Sequence, residues 1–235
     1  MIRNITLLVT GVMGILIVAR LCQEKEKTGG DCKPQNGASP RSPLAKALLR
    51  CLEFGVDQGR KQNQESAASY ALICLRLAVS KRPLIFGLGL DSLFYESVND
   101  QIVFVEDNND WISKIKAKGL QSKVVNFRYE TSILDMSTAM EDEDIPIETL
   151  RNLLGNNFDF VLIDAPMGHV KNKPGRFQPA KFASSLKGKS LDYVCIHDYN
   201  RAIEKALFHR YFGEPDDVLS KFDNMQQLAC KSIGL

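Results

Sequence analysis

The stretch that decides the fold is Pro83–Ser92, PLIFGLGLDS. A bulky apolar run passes straight into two glycines one residue apart, then an acid and a hydroxyl. Glycine loses more conformational freedom on folding than any other residue, so two in one turn mark a sharp change of direction and a close approach to the backbone. A strand over Leu84–Leu88, closed by Gly87 and Gly89 and followed by a helix over Asp91–Val98, opens a βαβ unit with Asp91 placed as N-cap. The same turn also serves as a plain strand-to-helix connection. Ser92 stands where the dinucleotide fingerprint G-x-G-x-x-G needs its third glycine.

Working outward, the alternation continues. Strands are predicted over Ile102–Val105, Lys123–Phe127, Phe158–Ile163 and Tyr193–Ile196, with FDFVLI reading as a strand buried on both faces. Helices are predicted over Leu44–Phe54, Ser66–Val79, Asp110–Lys118, Ile145–Leu154, Ala180–Leu186 and Arg201–Phe212. This alternation gives an α/β, Rossmann-like doubly wound sheet, whose ligands bind at the carboxyl ends of the strands.

Three strand ends then carry chemistry. VFVE ends in Glu106, seventeen residues after Gly89, where a carboxylate accepts both hydroxyls of a nucleoside ribose. Its other reading is a solvated strand terminus, with Asp107 able to share the role. A G-x-G turn and a strand-end acid point to an adenosine-containing ligand. The missing third glycine favours S-adenosylmethionine over NAD, because a sulfonium ligand brings no pyrophosphate to cradle. IDAPMG projects Asp164 into the same crevice, and CIHD places His197 and Asp198 beside it. Such a trio suits deprotonation of a hydroxyl or an oxygen-rich divalent-metal site, and the sequence leaves that choice open. His197 reads equally well as a hydrogen-bonded structural histidine. The basic, turn-rich HVKNKPGR, His169–Arg176, reads as an anion-binding lid, with Arg176 suited to a bidentate grip on a carboxylate, or else as a solvated loop.

Composition narrows the class. With 44% hydrophobic and 25% charged residues the chain can bury a real core, and a net charge of +2 argues against a nucleic-acid partner. The six cysteines show no zinc-ligand spacing. Cys74 and Cys195 read as small buried hydrophobes, while Cys22, Cys32 and Cys51 could pair in an oxidising compartment. Ile5–Ala19 is uncharged between Arg3 and Arg20, and VARLC lacks a small-x-small cleavage site. Residues 1–22 read as an uncleaved, thinly spanning membrane anchor suited to an early-secretory or Golgi-type bilayer, with a cleaved signal peptide, whose h-region length also fits, as the competing reading. Residues 23–43 read as a polar stalk and 44–235 as the folded domain.

In order along the chain, FGLGLDS, VEDNNDW, YET, FDFVLIDAPMG, PGR and IHDYNR resemble the plant polysaccharide-biosynthesis family of the glucuronoxylan 4-O-methyltransferases, from about Ser42 onward. Related members methylate glucuronic acid on arabinogalactan. The resemblance implies an S-adenosylmethionine-dependent methyltransferase fold, lumenal in the Golgi behind a short anchor, acting on a polysaccharide that bears glucuronic acid. It implies that Gly87, Gly89, Asp91 and Ser92 hold the methionine part, that Glu106 holds the ribose, and that Asp164, His197 and Asp198 line the transfer site. Arg176 and His169 would meet the acceptor. Leu90 stands where the family usually has His, Phe177 where it has Met, and Asn224–Ile233 replaces a segment richer in Arg, His and Phe. These departures bear on the acceptor more than on the cofactor. A membrane-anchored accessory protein without catalytic activity is the alternative reading.

Overall fold

The computed structural model describes residues 51, 67–131, 146–167, 174–220 and 227–234. The chain divides into two compact units, Met1–Ala78 and Val79–Leu235. The expected anchor, the stalk and His169 lie outside the described residues. No helix among the described residues is long and apolar enough to cross a membrane.

In the first unit, α1 (Ala67–Val79) carries Cys74, which is disulfide-bonded to Cys51. The reading of Cys74 as a plain buried hydrophobe is thereby corrected.

The second unit is built on a seven-stranded sheet. In chain order its elements are β1 (Pro83–Phe86), α2 (Ser92–Val98), β2 (Val103–Glu106), α3 (Asn109–Lys116), β3 (Lys123–Asn126), α4 (Glu148–Leu154) and β4 (Phe160–Ile163). They continue with α5 (Phe177–Ser184), β5 (Tyr193–Ile196), α6 (Ala202–Phe212), β6 (Asp217–Ser220) and β7 (Gln227–Ser232). The spatial order is β3-β2-β1-β4-β5-β7-β6, with β1 to β5 parallel and β7 antiparallel to both its neighbours. This is the doubly wound sheet expected from the alternation. Every residue of PLIF, FVLI and YVCI is buried, as strands covered on both faces require. Pro83 is tolerated because it opens its strand.

The chain runs outward from β1 through β2 to β3 and then returns to the other side of β1 as β4. Connections on the two sides diverge there, which opens a crevice at the carboxyl ends of β1 and β4. Phe86, Phe158, Phe177, Phe182 and Phe208 are among the largest fully buried side chains. Each contributes roughly 1.5–3 kcal/mol on burial. Phe86 meets Phe182 edge-on at 6.0 Å, fixing α5 against β1. At the opposite, amino end, the Asp159 carboxylate accepts from the backbone N–H of Lys81 at 2.7 Å and of Arg82 at 3.1 Å, pinning the entry to β1.

The hairpin β6–β7 was not expected. It closes the sheet and sets Cys230 directly opposite Cys195 on β5, with Cα atoms 4.1 Å apart and a disulfide between them. Cys195 is therefore not a free hydrophobe but half of a staple two residues from His197.

Candidate active site

Gly87 has φ +118°, and a Cβ there would come within 3.2 Å of the Ala165 Cβ. What approaches this glycine is thus the end of β4, drawn in as Asp164 and Ala165 both donate to the Phe86 carbonyl at 2.8 Å. A Cβ on Gly89 would run into the Asp91 carboxylate. Asp91 occupies the N-cap position of α2 but makes no side-chain capping bond, which corrects that expectation. Ser92 supplies the local lock instead: its Oγ accepts from Gly89 N–H at 2.9 Å.

Leu88, between the glycines, is clamped from β2 and α3. Its N–H donates to Glu106 Oε2 at 3.1 Å, and its carbonyl accepts from the Trp111 indole N–H. Glu106 Oε1 accepts from Asn108 N–H at 3.0 Å. Glu106 is only 7% exposed. Burial pushes its carboxyl up to about 7, against the two N–H bonds, with Asp107 adding to the rise. Each carboxylate oxygen retains acceptor capacity beyond its one backbone bond. A buried acid with acceptor capacity to spare fits a ribose diol, whose hydroxyls would supply the donors.

Across the crevice, β4 and β5 bring together the predicted trio. His197 Nδ1 lies 2.8 Å from Asp164 Oδ1 and 3.7 Å from Asp198 Oδ2. The Asp164 side chain is 45% exposed, whereas His197 and Asp198 are buried. The surrounding protein opposes ionisation of Asp164, but His197, Arg176 and Arg201 outweigh it and hold the carboxyl at about 2. Asp198 has φ +58°, a left-handed conformation uncommon for a residue with a side chain. Its Oδ2 sits 2.7 Å from Arg176 Nη2 and 2.9 Å from Arg201 Nη1, which holds the strained residue in place.

Most of the stretch read as a lid lies outside the described residues, but Arg176 itself is described. It is 3% exposed at the N-terminus of α5, donating to the carbonyls of Pro166, His197 and Asp164 and to the Asp198 carboxylate. A guanidinium so engaged ties β4, β5 and α5 together and is not available to grip an acceptor, which corrects that expectation. Asp164, His197 and Asp198 present ligand atoms within 4.8 Å of one another, the spacing of a divalent-cation site. Asp198 already answers two guanidiniums, which disfavours a further cation there.

Sequence reasoning missed three contributors. Trp111 and Arg201 lay within quoted motifs, and Glu204, fully buried one turn beyond Arg201, carried no signal beyond its spacing.

A sequence model of the IRX15/IRX15L/GXM family matches residues 68–153. Arabinogalactan O-methyltransferase 2 of Arabidopsis thaliana is 25% identical over 200 residues, 74% of this chain and 69% of its own length. Arabinogalactan O-methyltransferase 1 of the same plant is 26% identical over 54% of this chain and 53% of its own length. Glucuronoxylan 4-O-methyltransferase 3, also from Arabidopsis thaliana, is 28% identical over 78% and 70%. Among solved structures, the N-methyltransferase NodS of Bradyrhizobium japonicum WM9 with S-adenosyl-L-homocysteine covers 83% of this chain and 100% of its own, at 9% identity and a TM-score of 0.42. That score is too low to add to the topology described above. In sequence the chain is similar to the IRX15/IRX15L/GXM family over residues 68–153 and, at 25–28% identity, to plant arabinogalactan and glucuronoxylan O-methyltransferases.

Proposed function

We propose that the chain is an S-adenosylmethionine-dependent O-methyltransferase acting on a glucuronic acid residue of a cell-wall polysaccharide, glucuronoxylan-like, in the Golgi lumen. The observation that carries this reading is the pairing of a buried, donor-poor Glu106 on β2 with an open Asp164 on β4, on opposite sides of one crevice. The names of the relatives support the polysaccharide acceptor. Two disulfides support an oxidising compartment, where such bonds persist. The Golgi anchor remains part of the proposal, carried by the apolar Ile5–Ala19.

When bound, the sulfonium cofactor supplies the methyl group for in-line displacement by the acceptor oxygen. Glu106 and the Gly87–Ser92 turn hold and orient the nucleoside and methionine ends, so most of the acceleration is alignment. Asp164 takes the acceptor hydroxyl's proton at its exposed oxygen. A carboxylate held at about 2 is a weak base, but it suffices late in the displacement, when the alkylated oxygen has become strongly acidic. His197 holds Asp164 by one oxygen and leaves the other to the acceptor.

Calorimetric titration with S-adenosylhomocysteine and with NAD tests the cofactor assignment. Micromolar binding of the first and none of the second is expected; the reverse would move the chain to the oxidoreductases. The accessory-protein reading draws on Leu90, 61% exposed beside the glycine turn where the family usually has His. Cofactor binding without any methyl transfer would favour it.

A further inference from the structure

The fold spends Arg176 inside the site, and a second guanidinium, that of Arg201, reaches the same Asp198 carboxylate while keeping part of its side chain exposed. Arg201, three residues beyond Asp198, has a side chain 29% exposed, against 3% for Arg176. Its Nη1 atom is buried, 2.9 Å from Asp198 Oδ2 and 3.8 Å from Glu204 Oε1. The exposure therefore belongs to the rest of the side chain, where Nε and Nη2 make no hydrogen bond or ion pair among the described residues. Nη1 is held inward by the two carboxylates through charge, without a hydrogen bond, and Nε and Nη2 are left for another partner. An open guanidinium edge presents two N–H groups in the spacing of a carboxylate.

Glu204 explains why that orientation is kept. It is fully buried, and neither carboxylate oxygen has a hydrogen-bond partner among the described residues. A buried acid left so is costly unless a cation answers it; Arg201 lies at ion-pair distance and Arg176 adds to its effect. Burial pushes the Glu204 carboxyl up, against Arg176 and Arg201. Glu204 and Asp198 lie on the same side of Arg201, at its buried Nη1. Arg201 also acts on the charge of Asp164. In a hexuronic acid the carboxyl group and a ring hydroxyl stand on adjoining carbons, so gripping one brings the other toward Asp164.

We propose that Arg201 binds the carboxylate of the acceptor's uronic acid, with Asp198 and Glu204 fixing its inner edge and Asp164 facing the hydroxyl to be methylated. The inference rests on the reading of the acceptor as a uronate-bearing saccharide.

The test is calorimetric binding to the full chain, with S-adenosylhomocysteine present, of a glucuronic acid-bearing xylo-oligosaccharide and of the same oligosaccharide with its carboxyl reduced to the alcohol. The unmutated chain is expected to prefer the acid, and Arg201→Gln to lose that preference by about ten- to a hundredfold. Arg201→Lys keeps the charge without the fork and is expected to fall between. S-adenosylhomocysteine affinity and melting temperature, measured on each variant, identify any that has lost its fold. A folded Arg201→Gln chain that still prefers the acid, or an unmutated chain that binds both forms equally or neither, overturns the assignment. Methyl transfer is scored separately. Arg201-dependent uronate binding without turnover would keep this contact while overturning the enzymatic reading.

Discussion

Asp164 Oδ1 lies 2.8 Å from His197 Nδ1, joining the tips of β4 and β5 across the carboxyl edge of the sheet. The exposed partner is the acid and the buried partner is the histidine, so the pair presents a carboxylate, not an imidazole, to the crevice.

Asp164→Asn keeps the shape and removes the charge. Turnover is expected to fall by about 10²-fold with S-adenosylhomocysteine affinity unchanged. His197→Gln removes the cation and hydrogen bond that hold Asp164 low, so the acidic limb of the pH–rate profile should move to higher pH. Any stability that Asp164 adds is present above its unfolded value near 3.8 and is lost as pH falls toward about 2. Preserved turnover per folded molecule in Asp164→Asn would remove the residue from the chemistry.

Glu106 works in the opposite sense. Its folded value near 7 lies above its ordinary 4.5, so its contribution is most favourable below about 4.5 and is lost as pH rises through 7. Glu106→Gln should therefore stabilise the apoprotein above pH 7, by on the order of 1–3 kcal/mol, while weakening S-adenosylhomocysteine binding about ten- to a hundredfold. In the unmutated chain that affinity should rise as pH crosses 7. Equal affinity at pH 6 and pH 8, read by calorimetry, would show that the carboxylate form is not what the ligand needs.

Gly87 and Gly119 separate two costs. Both have positive φ, but a Cβ on Gly87 meets Ala165 while one on Gly119 meets nothing within 4 Å. Gly119→Ala should lose about 1 kcal/mol in denaturant titration, and Gly87→Ala clearly more, by about 2–3 kcal/mol. Gly87→Ala should also weaken cofactor binding, because the β1 and β4 tips must part. Equal losses for the two variants would mean that the β4 tip gives way freely.

The Cys195–Cys230 bond closes a separation of 35 residues. Replacing both cysteines by serine should lower stability by about 2–4 kcal/mol, a fall in melting temperature on the order of 10 °C. Calorimetric melting of the oxidised and double-serine chains checks this. Identical melting temperatures would show that the hairpin holds β5 without the staple.

The parallel half of the sheet was legible because buried strands leave unbroken apolar runs such as FVLI and YVCI. Glu106 was legible as the acid that ends the strand after a G-x-G turn, and its burial sets it apart from a solvated strand terminus. The β6–β7 hairpin was not, since DVLS and QLACKS mix polar and apolar residues in short edge segments with no strong period. Disulfide pairing depends on register, which nothing near Cys195 or Cys230 announces. Arg176 follows a Pro-Gly turn in a basic loop, and local polarity gave no sign that the carbonyls of Asp164, Pro166 and His197 would draw it inward. Its burial in turn shifts attention to Arg201, a residue the sequence offered only as the end of IHDYNR.

The central claim is methyl transfer to a uronate hydroxyl, and the most direct measurement is mass spectrometry of a glucuronic acid-bearing xylo-oligosaccharide incubated with the full chain and methyl-labelled S-adenosylmethionine. The label is expected on the uronic acid fragment, and to disappear in Asp164→Asn. Binding of S-adenosylhomocysteine with no label on any uronate-bearing acceptor, glucuronoxylan- or arabinogalactan-derived, would contradict it.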